Sequence, residues 1–261
     1  MKDILSRRHR GALLRFVAPP AKVLLAFDYD GVLAPLVKDP GGARMRPRTR
    51  RLLGRLSKSY ATAVVSGRAW KDVARFVDGT VPTVVGNHGF EVGRPAPVPR
   101  GVLQTVHAWR RQLEQALTGV PGIHFEDKRS TLAIHFGLSR GWRIAERAVY
   151  EAANQLEGTR LIPGKKVLNV LPHDFPSKGD AIRLLLARLG LDAALYAGDD
   201  VTDEDAFAVG WPLVFGIHVG KGPSLATWRV AAQDRVDELL ELLVEGRAAT
   251  AGRLVRAVGS R

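Results

Sequence analysis

The chain of 261 residues contains no cysteine. Disulfides and thiolate metal centres are therefore excluded, and a metal would have to be taken by carboxylate or imidazole. Nor does any apolar run approach the ~20 residues of a membrane helix, so no membrane span is expected. The N-terminal stretch MKDILSRRHRGALLRFVAPP is basic but lacks both an uninterrupted apolar region and a small-residue cleavage site. It does not read as a secretory leader, and a cytoplasmic location is the default. Acidic residues are scarce beside basic ones, 26 against 39, for a formal net charge of +13. Such a surplus raises the question of nucleic acid, whose phosphates release counterions to clustered lysine and arginine. Here the basic residues are spread along the whole chain, as in RPRTRRLLGRL, with no aromatic-studded basic motif. The expectation is a solvated surface that helps to draw in a small anionic substrate, with no nucleic-acid partner. What the chain does have is apolar residues: 46% hydrophobic content suffices for a sizeable core in one large or two modest domains.

Short β-branched runs alternate with amphipathic patterns. KVLLAFD, TAVVS and TVVG read as strands around the helices RPRTRRLLGRLSKSY and AWKDVARFV. The alternation resumes late in the chain with the helix KGDAIRLLLARLG, the strand AALYAGD, the helix DEDAFAVG, the strand PLVFGI and the closing helix DRVDELLELLVEG. Strands separated by helices imply an α/β fold, a Rossmann-like parallel sheet covered on both faces, with ligands at the carboxyl ends of the strands. The middle differs. After the Pro-rich linker GRPAPVPRG the order is helix, strand, strand, helix, strand, strand. This αββαββ block, placed at residues 98–172, is a smaller α+β domain with helices on one side of an open sheet. It is inserted into a core formed by 1–97 and 173–261.

Two acidic clusters end strands of the core. FDYDGVLAP places Asp28 and Asp30 just past the first strand, and GDDVTDED places Asp199, Asp200 and Asp203 past AALYA. Either could simply cap a helix, since aspartate is favourable at helix N-termini. Two such clusters on one sheet edge converge into a site for a hard, oxygen-seeking dication, most plausibly Mg²⁺. Lys178 in SKGDA is out of place in the first turn of a helix, where the dipole disfavours a cation, unless an anion or an acid cluster lies beside it.

The motifs DYDGVLAP, SGR (66–68), SKGDA and GDDVTDEDAF resemble the four motifs of the haloacid dehalogenase superfamily of phosphatases. With GNHGFE, EDKRSTLAIHF and PGKKV, the chain is similar from about residue 23 to 245 to the trehalose-6-phosphate phosphatase family, and the inserted block resembles a type 2 cap domain. The resemblance implies Mg²⁺-dependent hydrolysis of a sugar phosphate, most simply trehalose 6-phosphate. Two alternatives remain: another glycosyl or pseudodisaccharide phosphate as substrate, or a catalytically dead sugar-phosphate-binding module.

The chemistry assigns the roles. A phosphate monoester is already anionic, so a catalyst must neutralise charge and hold nucleophile and phosphorus in line. Asp28 is the expected nucleophile, forming an aspartyl-phosphate. Asp30 is the expected acid and base, and Gly31 the turn that lets both carboxylates face one pocket. The metal is expected on Asp28, the Asp30 carbonyl and Asp199, supported by Asp200 and Asp203. Ser66, which could instead cap the following helix, and Lys178 are expected on the phosphoryl oxygens. By resemblance, Gly67 and Arg68 belong to the substrate pocket, while Asn87 and His88 read equally as a turn or as part of it. Also by resemblance, Glu126, Lys128 and Lys165 contact sugar hydroxyls from the cap. Asn169 joins them, at a position where the family pattern GKxVxE has glutamate; Gly137 likewise stands where the family has arginine. Oligomeric state is not legible.

Overall fold

The computed structural model describes residues 1–37, 40–138, 141–164 and 166–246. The chain forms two compact units, Met1–Pro95 joined by the chain from Pro176 on, and Ala96–Phe175. Along the first unit run β1 (Lys2–Asp3), α1 (Arg10–Phe16), β2 (Val23–Phe27), α2 (Pro47–Ser57), β3 (Ala61–Val65), α3 (Trp70–Val77), β4 (Thr83–Gly86) and β5 (Glu91–Val92). The second unit contains α4 (Arg100–Ala116), β6 (His124–Asp127), β7 (Leu132–His135), α5 (Trp142–Ala153), β8 (Thr159–Gly164) and β9 (Val167–Pro172). The chain then returns through α6 (Lys178–Leu189), β10 (Ala193–Gly198), α7 (Glu204–Phe207), β11 (Val214–Val219) and β12 (Trp228–Val230). A last helix, α8, begins at 236 and is described to 246.

The eight strands of the first unit form one sheet in the order β1-β12-β11-β10-β2-β3-β4-β5, parallel throughout except for the last pair. Strand β2 is buried on both faces, and its side chains alternate between two cores. Leu25 and Phe27 join Leu53, Phe76 and Leu240 on one face; Leu24 and Ala26 join Ile182, Leu185 and Phe207 on the other. Each such leucine or phenylalanine contributes about 1.5–3 kcal/mol by leaving water, which is why a continuous apolar run rather than an alternating one marks this strand. Chain direction across the sheet reverses at β2, which lies between β10 and β3. The crevice at the carboxyl ends of strands around such a switch point is where an open α/β sheet binds its ligand.

In the second unit the sheet is antiparallel, in the order β6-β7-β9-β8. Leu132, Ile134, Leu168 and Val170 pack under Val106, Trp109 and Leu113 of α4 and Val149 of α5. Side chains alternate across a strand, so Glu126, His135 and Asn169 belong to the opposite face.

Four short elements have no counterpart in the sequence pattern: α1, the edge strand β1, its partner β12, and the antiparallel β5. A strand of two or three residues is too short to show a period. The helix expected over DEDAFAVG is also shorter than its pattern: a 3₁₀ turn occupies Val201–Asp203 and only Glu204–Phe207 is α-helical. The physical reason is Asp203, which is drawn inward as described below.

Candidate active site

Strand β2 ends one residue before Asp28, whose backbone N–H continues the ladder onto the Ala197 carbonyl at 2.8 Å. Its carboxylate is thereby fixed at the sheet edge. Oδ1 accepts from the Tyr29 N–H at 2.6 Å, and Oδ2 from Lys178 Nζ at 2.8 Å. Lys178 starts α6, whose N-terminus is set by a reciprocal capping box between Ser177 and Asp180. Far from being an exposed first-turn lysine, it is 1% exposed. Its second partner is Asp203 Oδ1, at 2.7 Å.

Asp203 is fully buried and accepts four hydrogen bonds. Lys178 and the Tyr196 hydroxyl donate to Oδ1, at 2.7 and 2.5 Å, and the N–H groups of Asp199 and Asp200 donate to Oδ2, at 2.8 Å each. Asp203 thus pins the loop after β10 to α6, and the same pull tightens residues 201–203 into a 3₁₀ turn. Asp200 is different: its Oδ1 caps that turn by accepting from the Val201 N–H at 2.7 Å, and its side chain is exposed. The helix-capping alternative for the acidic cluster therefore describes Asp200, with Asp203 as its reciprocal partner through the Asp200 N–H, and not Asp199.

Oxygens of Asp28, Asp199 and Asp203 lie within 4.8 Å of one another. Two glycines permit this crowding. A Cβ on Gly31, where φ is +74°, would run into the Asp199 carboxylate, and one on Gly198 would run into that of Asp203. Burial pushes the Asp28 carboxyl well above the usual carboxylate range; Lys178 opposes the rise, and Asp203 and Asp199 add to it. Asp199 is pushed up to about 7, first by burial and then by Asp203. Burial alone would push Lys178 down, but Asp203 and Asp28 outweigh it and the ammonium is held charged. One lysine shared by two carboxylates cannot neutralise three, so Asp28 stays raised even though it is paired. Among the described residues nothing donates a hydrogen bond to the Asp199 carboxylate. Clustered hard oxygens, surplus negative charge and one carboxylate without a donor together suit a divalent cation.

Strand β3 leads into Ser66, buried, whose N–H bonds to the Val85 carbonyl at 2.9 Å. Ser66 does not cap α3: Ala69 holds that position, and Glu91 accepts the Trp70 N–H at 2.8 Å. The Ser66 Oγ instead accepts from the Arg68 N–H within its own turn, at 3.2 Å. Asn87 and His88 are both buried and both left-handed, with φ of 51° and 58°. Their N–H groups clip to the carbonyls of Arg68 and Ser66, at 2.6 and 3.0 Å. The ring of His88 occupies the space a Cβ on Gly67 would need, and Gly89 lies against the Ser177 carbonyl at the start of α6. The NHG segment is therefore a turn and also the brace joining the SGR loop to Lys178.

Arg68 does not lie apart from the acids. Its Nε and Nη2 meet Asp30 Oδ2 and Oδ1, each at 2.6 Å. Asp30 accordingly faces Arg68, outside the cluster formed by Asp28, Asp199 and Asp203.

The sugar-contact residues expected from the cap lie on the second unit. Glu126 Oε2 is 2.8 Å from His135 Nε2, which draws the Glu126 carboxyl below its usual range. Register places Glu126 opposite Ala133, Ala133 opposite Asn169, and Asn169 opposite Ile162, one row on one face. Asn169 Nδ2 reaches the Ile162 carbonyl at 3.4 Å, a long contact. Lys128 lies in the turn after β6, its N–H on the Thr131 carbonyl at 3.0 Å. Lys165 lies outside the described residues. Beside Gly137 runs the stem of Lys166, where a Cβ would come within 2.9 Å of Cδ, and its Nζ stands 5.2 Å over the Trp142 ring.

Residues 26–238 match the family model described as Trehalose-phosphatase. The chain belongs to the trehalose-phosphatase family. A relative named probable trehalose-phosphate phosphatase 4, from Oryza sativa subsp. japonica, is 31% identical over 265 residues, covering 92% of this chain and 72% of the relative. Among solved structures, the C. albicans trehalose-6-phosphate phosphatase C-terminal domain superposes with a TM-score of 0.77 at 23% identity, covering 90% of this chain and 96% of that one. The fold is also shared, with a TM-score of 0.69 and 15% identity over 90% of this chain and 97% of the other, by the C-terminal domain of a Candida albicans trehalose synthase regulatory protein. Architecture alone is thus common to proteins of both descriptions. Family membership makes this chain a haloacid dehalogenase-type phosphatase, a phosphoric monoester hydrolase. Among the described residues no helix is long and apolar enough to cross a membrane.

Tyr196 and Glu91 were not legible as site residues. The only sign of Tyr196 is a tyrosine within an apolar strand, whose buried hydroxyl needs a partner.

Proposed function

We propose that this chain hydrolyses trehalose 6-phosphate to trehalose and phosphate, with Mg²⁺ as its metal and an aspartyl-phosphate at Asp28 as its intermediate. The observation that carries the reading is Lys178, buried and bonded to Asp28 and Asp203, with a second carboxylate, Asp30, two residues from Asp28. A sugar-phosphate-binding module has no use for a buried nucleophile with an acid–base partner.

In the first displacement a carboxylate oxygen of Asp28 attacks phosphorus, the bond from phosphorus to the sugar oxygen breaks, and Asp30 gives that oxygen a proton. In the second, Asp30 takes a proton from water as the water oxygen attacks phosphorus and the bond to Asp28 breaks. Lys178 orients Asp28 and, with Ser66, holds phosphoryl oxygens. Asp28, Asp199 and the Asp30 carbonyl would hold the ion, with Asp203 as their anchor. When bound, it would offset the charge that keeps two anions apart. The second unit is the cap, and its row of Glu126 and Asn169, with Lys128 and Lys165, supplies the sugar contacts.

The test is phosphate release from trehalose, sucrose and glucose 6-phosphates, with and without Mg²⁺. Turnover should require the ion and favour trehalose 6-phosphate. Asp28→Asn should remove turnover by at least about a thousandfold, roughly 4 kcal/mol of transition-state stabilisation, with the fold intact. Full activity in that variant would eliminate the covalent route.

A further inference from the structure

Glu126 extends from β6 on the face of the second unit's sheet opposite its helices, and its cross-strand partner there is Ala133. A methyl group gives a carboxylate no hydrogen bond, so nothing directly across the strand pair holds Glu126. The hold comes from the diagonal, where His135, two residues beyond Ala133, brings Nε2 to 2.8 Å from Glu126 Oε2. Diagonal neighbours on one face of an antiparallel pair lie within reach of long side chains. An ionised carboxylate only accepts, so Nε2–H is the donor. His135 is itself flanked on both sides: its register partners are His124 on β6, with ring centroids 6.1 Å apart, and Val167 on β9. On the far side of Ala133 the row continues to an amide, Asn169, which leaves Glu126 as the one carboxylate in it.

The pair does little for the fold. Its side chains are 36% and 47% exposed, and ion pairs this open to water add little to stability. What the contact fixes is direction. A glutamate loses side-chain freedom when it binds a hydroxyl, and one already held in place loses less. With Oε2 taken by His135, Oε1 is the oxygen left for a ligand: among the described residues nothing donates a hydrogen bond to it. We infer that His135 is a positioning residue for sugar recognition: it presents Glu126 Oε1 to a sugar hydroxyl, and so acts on KM for a sugar phosphate through Glu126, without touching the sugar itself.

This inference rests on the sugar contacts proposed above for the second unit, and a double-mutant cycle on the full-length protein with Mg²⁺ separates the two. KM and kcat are measured on trehalose 6-phosphate and on 4-nitrophenyl phosphate, which has no sugar, for the parent, Glu126→Ala, His135→Phe and the double variant. His135→Phe keeps a planar ring and removes the donor. It should raise KM for trehalose 6-phosphate about five- to tenfold, part of the worth of one charge-assisted hydrogen bond, and change the aryl phosphate by less than about twofold. Unimpaired aryl phosphate turnover also reports that the variant is folded. In the Glu126→Ala background the same change should cost nothing further, because non-additivity marks a residue that acts through its neighbour. His135→Gln, whose amide sets an N–H near the place of Nε2, should keep most of the parent KM, which a role for the ring in packing would not allow. If Glu126→Ala raises KM but His135→Phe does not, or slows both substrates alike, or costs as much without Glu126 as with it, His135 is idle, structural or a sugar contact in its own right, and the inference is overturned. If Glu126→Ala leaves KM for trehalose 6-phosphate unchanged, the contact assigned to Glu126 falls and the inference with it, while the hydrolysis stands. A parent that releases phosphate from 4-nitrophenyl phosphate but not from trehalose 6-phosphate removes the substrate reading and the inference together.

Discussion

Lys178 donates to Asp203 across 2.7 Å with both side chains shut away from solvent, while the same Nζ reaches Asp28 at 2.8 Å. Removing one partner from such an arrangement strands buried charge, at a cost of about 3–5 kcal/mol. Lys178→Met should therefore lower Tm by roughly 10 °C, given about 2–4 °C per kcal/mol for a chain of this size, as well as abolishing turnover. The loss should shrink on acidification, as the stranded carboxylates take up protons. Thermal melts of parent and variant at pH 5 and pH 8 provide the check, and equal Tm values at pH 8 would show that the network does not support the fold.

Asp199 gives a pH dependence of definite sign. Its carboxyl titrates near 7 in the folded protein, raised by burial and by Asp203, against 3.8 as the ordinary value. The folded state therefore holds this proton more tightly than the unfolded chain, and stability falls as pH rises through the window from about 4 to about 7. Asp28 is displaced in the same direction and adds to the effect. Metal-free protein should melt progressively lower from pH 5 to pH 8, and Asp199→Asn should flatten the profile. Added Mg²⁺ should restore Tm most at the alkaline end, where the carboxylates are ionised and ready to bind. A metal-free Tm that climbs over that interval would contradict the assigned direction.

Much of this architecture could be read from the sequence, because its signals are local. Strand β2 announces itself as a continuous apolar run that ends in Asp28, and Lys178 as a cation where the helix dipole disfavours one. The acid cluster that explains Lys178 is what the structure contains. Other features depend on the fold itself. No pattern in the chain links Arg68 to Asp30, and nothing in DDVTDED says that Asp203 is buried under four donors while Asp200 is left at the surface. The left-handed pair Asn87–His88 is illegible for a related reason: what holds it is two carbonyls of the SGR loop, about 20 positions upstream.

Gly31 carries two constraints at once. Its φ of +74° favours glycine, and the space beside its Cα belongs to the Asp199 carboxylate. Gly31→Ala should cost about 1–2 kcal/mol in backbone strain and push Asp199 out of the cluster. The second effect should be the larger one in function, seen as weaker Mg²⁺ dependence in an activity titration: at least tenfold more metal for half-maximal turnover, with the melting temperature only a few degrees lower. Unchanged metal dependence would mean that Asp199 is not held against Gly31 for the ion.

Asn169 stands in the row Glu126–Ala133–Asn169–Ile162, on the face of the second unit's sheet opposite its helices. Among the described residues its side chain is held by the long 3.4 Å contact from Nδ2 to the Ile162 carbonyl alone, so little is lost by replacing the amide. Glutamate at this position would be acceptor-only and one methylene longer, able to take hydrogen bonds from two sugar hydroxyls where asparagine offers one acceptor oxygen and an NH₂. Hydrogen bonds to a charged group exceed neutral ones by about 1–2 kcal/mol, roughly five- to thirtyfold in binding. Asn169→Glu should accordingly raise kcat/KM for trehalose 6-phosphate by about that factor, with little change for an aryl phosphate that has no sugar hydroxyls. The gain should come through KM, since the contact lies away from the phosphoryl group. The measurement is kcat and KM for parent and variant on trehalose, sucrose and glucose 6-phosphates and on 4-nitrophenyl phosphate. If the parent already prefers trehalose 6-phosphate strongly and the glutamate erodes that preference, asparagine is this protein's own specificity contact, and its NH₂ donates to the sugar.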